Sequence, residues 1–170
     1  MPCNLTAGFT LDACKDLHGG AKSLRITELA NVSSITETAG VITAITMVAT
    51  KKFYNFIFKK EVINFKETEN VDEENDTAEY VIEVTAKKNA LTTTTRNTLL
   101  LLAQNTLCII AEDNNGKYWL LGEKYGLTKS GSRESGTKFA DFNGSMLTFK
   151  GKEIAPFKEV DSSIIAALTA

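Results

Sequence analysis

The sequence is poor in the side chains that usually carry chemistry. It has one histidine, His18, and three cysteines, Cys3, Cys14 and Cys108, in 170 residues. Any Ser-His-Asp or Cys-His nucleophilic site would have to use His18. That residue stands in "DLHGG", where the two glycines mark a turn rather than a support for a nucleophile. The cysteines are odd in number and form no CxxC pair, so reduced thiols are the expectation. A zinc site could draw only on Cys3, Cys14, His18 and Cys108, and only Cys14 and His18 have the short spacing of a ligand pair. Cys108 stands inside an apolar run, which suits a small buried thiol better.

Other signals are missing too. There is no GxxxxGK[ST] and no GxGxxG, so phosphate cradling has no local support. With 19 basic against 21 acidic residues the net charge is -2, and no basic footprint announces nucleic acid. No apolar run approaches the roughly 20 residues of a membrane-spanning helix. The opening "MPCNLTAGFTLDAC" lacks the basic stretch and apolar core of a signal peptide. A protein that folds in the cytoplasm of its producer, with no membrane partner, is expected. Carboxylates gather at Glu67, Glu69, Asp72, Glu73, Glu74 and Asp76. Few apolar neighbours stand beside them to raise a pKa, so a solvated loop fits better than an acid–base pair. The chain is expected to be no enzyme, with no cofactor and no metal.

What the sequence does contain is short apolar–polar runs between turn residues. At 43% hydrophobic it can bury one sizeable core, as a single domain over 1–170. "VITAITMV", residues 41–48, is a β-branched strand after a turn at "TETAG", residues 36–40. In "KKFYNFIFKK", residues 51–60, Tyr54, Phe56 and Phe58 share one face and Phe53, Asn55 and Ile57 the other. Residues 61–70 are expected to complete a hairpin with it, and 71–77 form an acidic loop. Tyr80, Ile82, Val84 and Ala86 alternate with Glu79, Glu83, Thr85 and Lys87, the clearest two-residue period in the chain. "IIAEDNNGKYWLLG", residues 109–122, is a hairpin turning at Asn114-Asn115-Gly116. Its tip either presents Glu112, Asp113 and Lys117 to a ligand or simply meets solvent. Residues 128–144 are Gly- and Ser-rich and are expected to be an exposed loop, followed by a strand at 145–153.

One segment breaks the period. Leu91, Thr95, Leu99 and Leu102 make an apolar stripe, and Thr92 or Thr93 can cap its start. The spacing predicts one packed α-helix around residues 92–104. Many strands with one helix predict a mainly β fold, a β-sandwich or a rolled β-barrel. Residues 1–20 lack strong periodicity and 160–170 are an apolar tail. Both could be arms that order on assembly; Ile164, Ile165 and Leu168 could equally cap the protein's own core.

Several extended stretches carry a family likeness: "GFTLDACKD", "GVITAIT", "KKFYNFIFKK", "LLAQNTLCIIAEDNNGKYWLLG", "NGSMLTFKGKE" and "EVDSSIIA". In these the chain resembles virion structural proteins of tailed bacteriophages that infect Bacteroidetes, and specifically tail tube subunits. The resemblance implies self-association into stacked, commonly hexameric rings, neighbouring tail or connector proteins, and a conduit through which DNA passes without specific binding. It leaves a head–tail connector, a tail terminator or another ring component of the virion as alternatives. It implies assembly in the host cytoplasm and residence in the phage tail. On this reading Phe53, Phe56, Phe58, Asp72, Glu73, Glu74, Ile164 and Ile165 are candidates for the assembly surface. Glu79, Glu83 and Thr85 are candidates for the lumen wall, where carboxylates would repel phosphate; facing outside solvent is the alternative. A rival class is a small-ligand-binding β-barrel whose cavity residues 53–58 would line.

Overall fold

A computed structural model describes residues 7–10 and 16–170. The fold is mainly β, as the periodicity predicts, and it is a sandwich. The first sheet has seven strands in the order β2-β3-β11-β8-β7-β1-β4. These are β1 (Ala21–Glu28), β2 (Val32–Thr38), β3 (Val41–Met47), β4 (Tyr54–Ile57), β7 (Leu107–Asp113), β8 (Tyr118–Leu121) and β11 (Lys158–Val160). The second sheet has four, β5 (Ile63–Asp72), β6 (Thr77–Asn89), β10 (Gly144–Glu153) and β9 (Thr128–Glu134), in that order. The pairings are antiparallel except for β11 against β3.

The main core lies between the sheets. Leu24, Ile26, Ile109, Ala111 and Leu121 of the first sheet meet Ile63, Ile82, Val84, Ala86, Leu147 and Phe149 of the second. Helix α1 (Thr93–Gln104) adds Leu99 and Leu102 to this core. Thr92 caps it, its side chain accepting from the Thr95 N–H. Leu100 and Leu101 stay exposed, because four consecutive leucines cannot all face one way on a 3.6-residue period.

A second core lies on the opposite face of the seven-stranded sheet. Ile42, Phe53, Cys108, Ile110, Leu120 and Val160 are buried there with Ile165 and Leu168. The last two belong to a second helix, α2 (Ser162–Leu168), which sequence periodicity missed in so short a segment. Asp161 caps it through the Ser163 N–H. The segment 160–170 therefore folds back on the protein's own core instead of leaving as an arm. The Phe53 N–H donates to the Leu168 carbonyl, and the Ala170 N–H to the Phe53 carbonyl. At the other end, 1–6 and 11–15 lie outside the described residues. His18 and Gly19 are tied to the β7–β8 turn by the side chains of Asn115 and Asn114.

Two local expectations change. Residues 51–70 are not a hairpin: β4 edges one sheet and β5 edges the other, so the chain crosses between layers at 58–62. The polar stretch after Leu127 is not all loop: 128–134 is edge strand β9, paired along β10. Its side chains are polar because one rim faces water, which hides a strand from a hydrophobicity pattern. Gly131 is required within it, since a Cβ there would lie 2.1 Å from the Met146 carbonyl oxygen.

Ile110→Ala should cost about 2–5 kcal/mol, because Ile110 is wholly buried in the second core beneath α2. Urea denaturation measures it; a loss below about 1 kcal/mol would mean that this face of β7 is not a packed core.

Candidate functional site

The candidate residues lie in the β4 segment, the β5–β6 turn, strand β6 and helix α2. Strand β4 is an edge strand beside α1. Phe56 pairs opposite Leu24 and packs partly buried against the main core, as Phe58 does beyond the strand. Phe53 is 0% exposed. It cannot touch a neighbouring molecule, so its place on the candidate assembly surface is withdrawn. The exposed large apolar side chains of the segment are Tyr54 and Ile57, at 61% and 71%. Tyr54 and Phe56 line a groove of 280 Å³ with Leu101 and Leu102 of α1 and Asn31 and Asn105 at its rim. The aromatic strand thus lines a surface groove, while the main core lies between the sheets. Ile165 is likewise buried and Ile164 partly so, both against the second core. Ile165 also leaves the assembly surface, for the same reason as Phe53.

Strands β5 and β6 form a long hairpin. Its pairing runs to Asp72 opposite Thr77, leaving a turn of Glu73, Glu74, Asn75 and Asp76. The expected loop is thus shorter than 71–77. Strand β10 accompanies β6 only from Asn89 to Tyr80, so the last residues of both hairpin strands run past it as a two-stranded ribbon. Asp72 holds the turn, accepting from the N–H groups of Glu74 and Asn75 and from the Asn75 amide. These bonds hold its carboxyl below the ordinary value. Asp72, Glu73 and Glu74 are all exposed.

Glu79, Glu83 and Thr85 alternate with buried Ile82, Val84 and Ala86 and so stand on the outer face of the four-stranded sheet. The face is not an acidic wall. Glu79 pairs with Lys152 at 2.8 Å and Glu83 with Lys66 at 3.4 Å. Lys150 is the register partner of Glu83 across from β10. The charges sit in opposite-sign cross-strand pairs, an arrangement that stabilises a sheet face. Phosphate repulsion by free carboxylates, the premise of the lumen assignment, is not what this face offers.

The polar groups in the interior are structural. Glu112 accepts from Ser23 Oγ at 2.9 Å and Arg25 Nη1 at 3.1 Å, and pairs with Lys22. Burial pushes its carboxyl up, but the bonds from Ser23, Arg25 and Lys22 outweigh it and hold the pKa below the ordinary 4.5. Asp113 accepts from the N–H groups of Asn115 and Lys117 and from Trp119 Nε1. Glu112 and Asp113 are buried and act as internal braces, whereas the turn itself, residues 114–117 with Lys117 among them, is exposed. Glu153 takes the N–H groups of Lys124, Tyr125 and Gly126, fixing the connection from β8 to β9. Sequence reasoning missed these three roles because nothing local marks a carboxylate that will be buried among distant donors.

Cys108 is buried, and its thiol is pushed up to about 12, mainly by desolvation. It stands near the start of β7, whereas His18 lies beside Asn115 beyond the other end, so these two residues cannot share a zinc ion. Among the described residues no group of His, Cys, Asp or Glu is arranged to hold a metal, and no helix is long and apolar enough to cross a membrane. No family model, curated protein or solved structure matches the chain.

The lowered Glu112 pKa makes stability pH-dependent. The contribution is present above pH 4.5, the ordinary value, and is lost as pH falls through the lower folded-state value. Glu112→Gln should flatten the stability profile in that acid window. A wild-type and variant curve of equal slope there, by urea denaturation at stepped pH, would dissociate Glu112 from acid unfolding.

Proposed function

We propose that the chain is a self-assembling structural subunit, a tail tube-like component of a phage virion whose rings stack into a conduit for DNA. The observation that carries the self-assembly is the open four-stranded sheet. Strands β5 and β9 each pair on one side only, leaving a row of backbone donors and acceptors at both margins. Such margins are templates for pairing with another chain. Two open edges on one sheet, in one subunit, allow copies to join edge to edge and close into a ring, which removes the edges. The exposed Tyr54, Ile57 and Leu101 beside the groove on α1 add apolar surface of the kind an interface covers. The virion role itself rests on the sequence resemblance. The reading assigns the protein no catalysis and no cofactor. DNA would pass without specific contacts, and the partners would be further copies and adjoining tail or connector proteins. A connector or terminator ring is the runner-up, differing in whether rings stack.

Mass photometry and negative-stain electron microscopy of the purified protein test this reading. Closed rings or tubes with a central opening are expected. A protein that stays monomeric at tens of micromolar in low salt would overturn it.

A further inference from the structure

The charges of the four-stranded sheet are segregated along its strands. From Glu67 to Ala86 there are eight carboxylates and no Lys or Arg; from Lys87 to Thr106 there are Lys87, Lys88 and Arg96 and no Asp or Glu. The thirteen residues of β6 join these two stretches. At about 3.3 Å per residue they set the ends about 40 Å apart. The acidic end is the overhanging ribbon. There Glu69 is engaged by the Tyr80 hydroxyl, Glu79 by Lys152, and Asp72 by its own turn. Glu73, Glu74 and Asp76 make no ion pair among the described residues.

The opposite end is basic. Ser145 pairs with Lys88 on one side and Arg133 on the other, which places Arg133 of β9 at the far end from the turn. The start of α1 follows directly from β6, and Arg133, Arg96, Thr92 and buried Ser145 line a cleft of 220 Å³. An adjoining cleft of 300 Å³ is lined by Lys129, Arg133 and Leu99. Lys129, Arg133 and Arg96 form no ion pair among the described residues, and burial and then the Arg133 charge push the Lys129 pKa down. Like charges held together attract a negative partner, and among the described residues no carboxylate pairs with any of the three. The nearby acids are Glu134 and Asp141, and Asp141 is engaged by the N–H groups of Thr137 and Lys138.

We infer that the β5–β6 turn of one copy, through Glu73, Glu74 and Asp76, docks in the cleft of Arg96, Arg133 and Lys129 of the next. The inference rests on the self-assembly reading and adds the contact and the polarity. Donor and acceptor lie at opposite ends of one sheet, so the contact is head-to-tail along the strand direction. A head-to-tail contact that does not close continues indefinitely, and stacking therefore has one direction, turn into cleft. The α1 dipole adds positive potential at the cleft.

Two variants test it: Glu73→Lys/Glu74→Lys at the turn and Arg96→Glu/Arg133→Glu at the cleft, all four residues being exposed. Each variant alone should lose every species larger than a single ring. Mixed in equal amounts they should regain stacks in which the two alternate, because each turn then meets a cleft of opposite sign. Wild-type stacks should shorten as salt rises, since exposed pairs are screened beyond about 8 Å at physiological ionic strength. Stacks that persist in either variant, or a mixture that does not recover them, overturn the inference while leaving ring formation intact. So would intact stacking by the cleft variant together with lost binding of a duplex DNA oligonucleotide, which would give the cleft to phosphate. A wild type that never self-associates overturns this inference and the self-assembly reading together.

Discussion

Strand β7 is dry on both faces, and the rest of the molecule is arranged around that requirement. Ile109 and Ala111 look into the sandwich, while Cys108 and Ile110 look the other way. A strand of this kind needs cover on each side and pairing on each edge, because an unpaired backbone group in an apolar interior is costly. The four-stranded sheet and α1 cover one side and α2 the other. Strands β1 and β8 supply the edges. The C-terminal helix is thus part of the core's second face, and Phe53 is drawn in with it through the bonds to Leu168 and Ala170.

Burying β7 also brings its polar end inside. Glu112 and Asp113 cannot leave the strand, so each is matched to donors: Ser23, Arg25 and Lys22 for one, the turn amides and Trp119 for the other. Removing a donor would leave a buried carboxylate unmet, which costs more than the bond itself contributes. The same logic holds Glu153 beneath residues 124–126, at the point where the chain leaves the seven-stranded sheet for the four-stranded one. Three carboxylates that nothing local in the sequence marks as buried serve as internal braces.

The four-stranded sheet is only half enclosed, and its features bear on assembly. Its inner face is core; its outer face is polar and ion-paired; its two margins are open. The hairpin that overhangs it carries charges that form no ion pair among the described residues, and so does the far end. The proposed self-assembly rests on these open margins and charges, and the virion role on the sequence resemblance.

The sequence by itself determined the mainly β class, the alternation of β6, the turn at Asn114-Asn115-Gly116, the helix capped by Thr92 and the exposure of the acidic turn. Each depends on residues a few positions apart, so periodicity and turn chemistry suffice to read them. Only the tertiary structure decided that 54–57 and 63–72 belong to different sheets, since in sequence they read as two strands of one hairpin and nothing local says which layer a strand joins. It also decided that polar 128–134 is a strand, that 162–168 is a helix folded onto the core, and that Phe53 and Ile165 face inward. Glu79 and Glu83 are recognisable from their alternation as outward-facing, but their lysine partners come from β10 and β5, brought alongside by register. The basic cleft was invisible for the same reason: Arg96 stands more than thirty residues before Lys129 and Arg133 in the chain, and they meet only because β9 and the start of α1 lie together at the sheet.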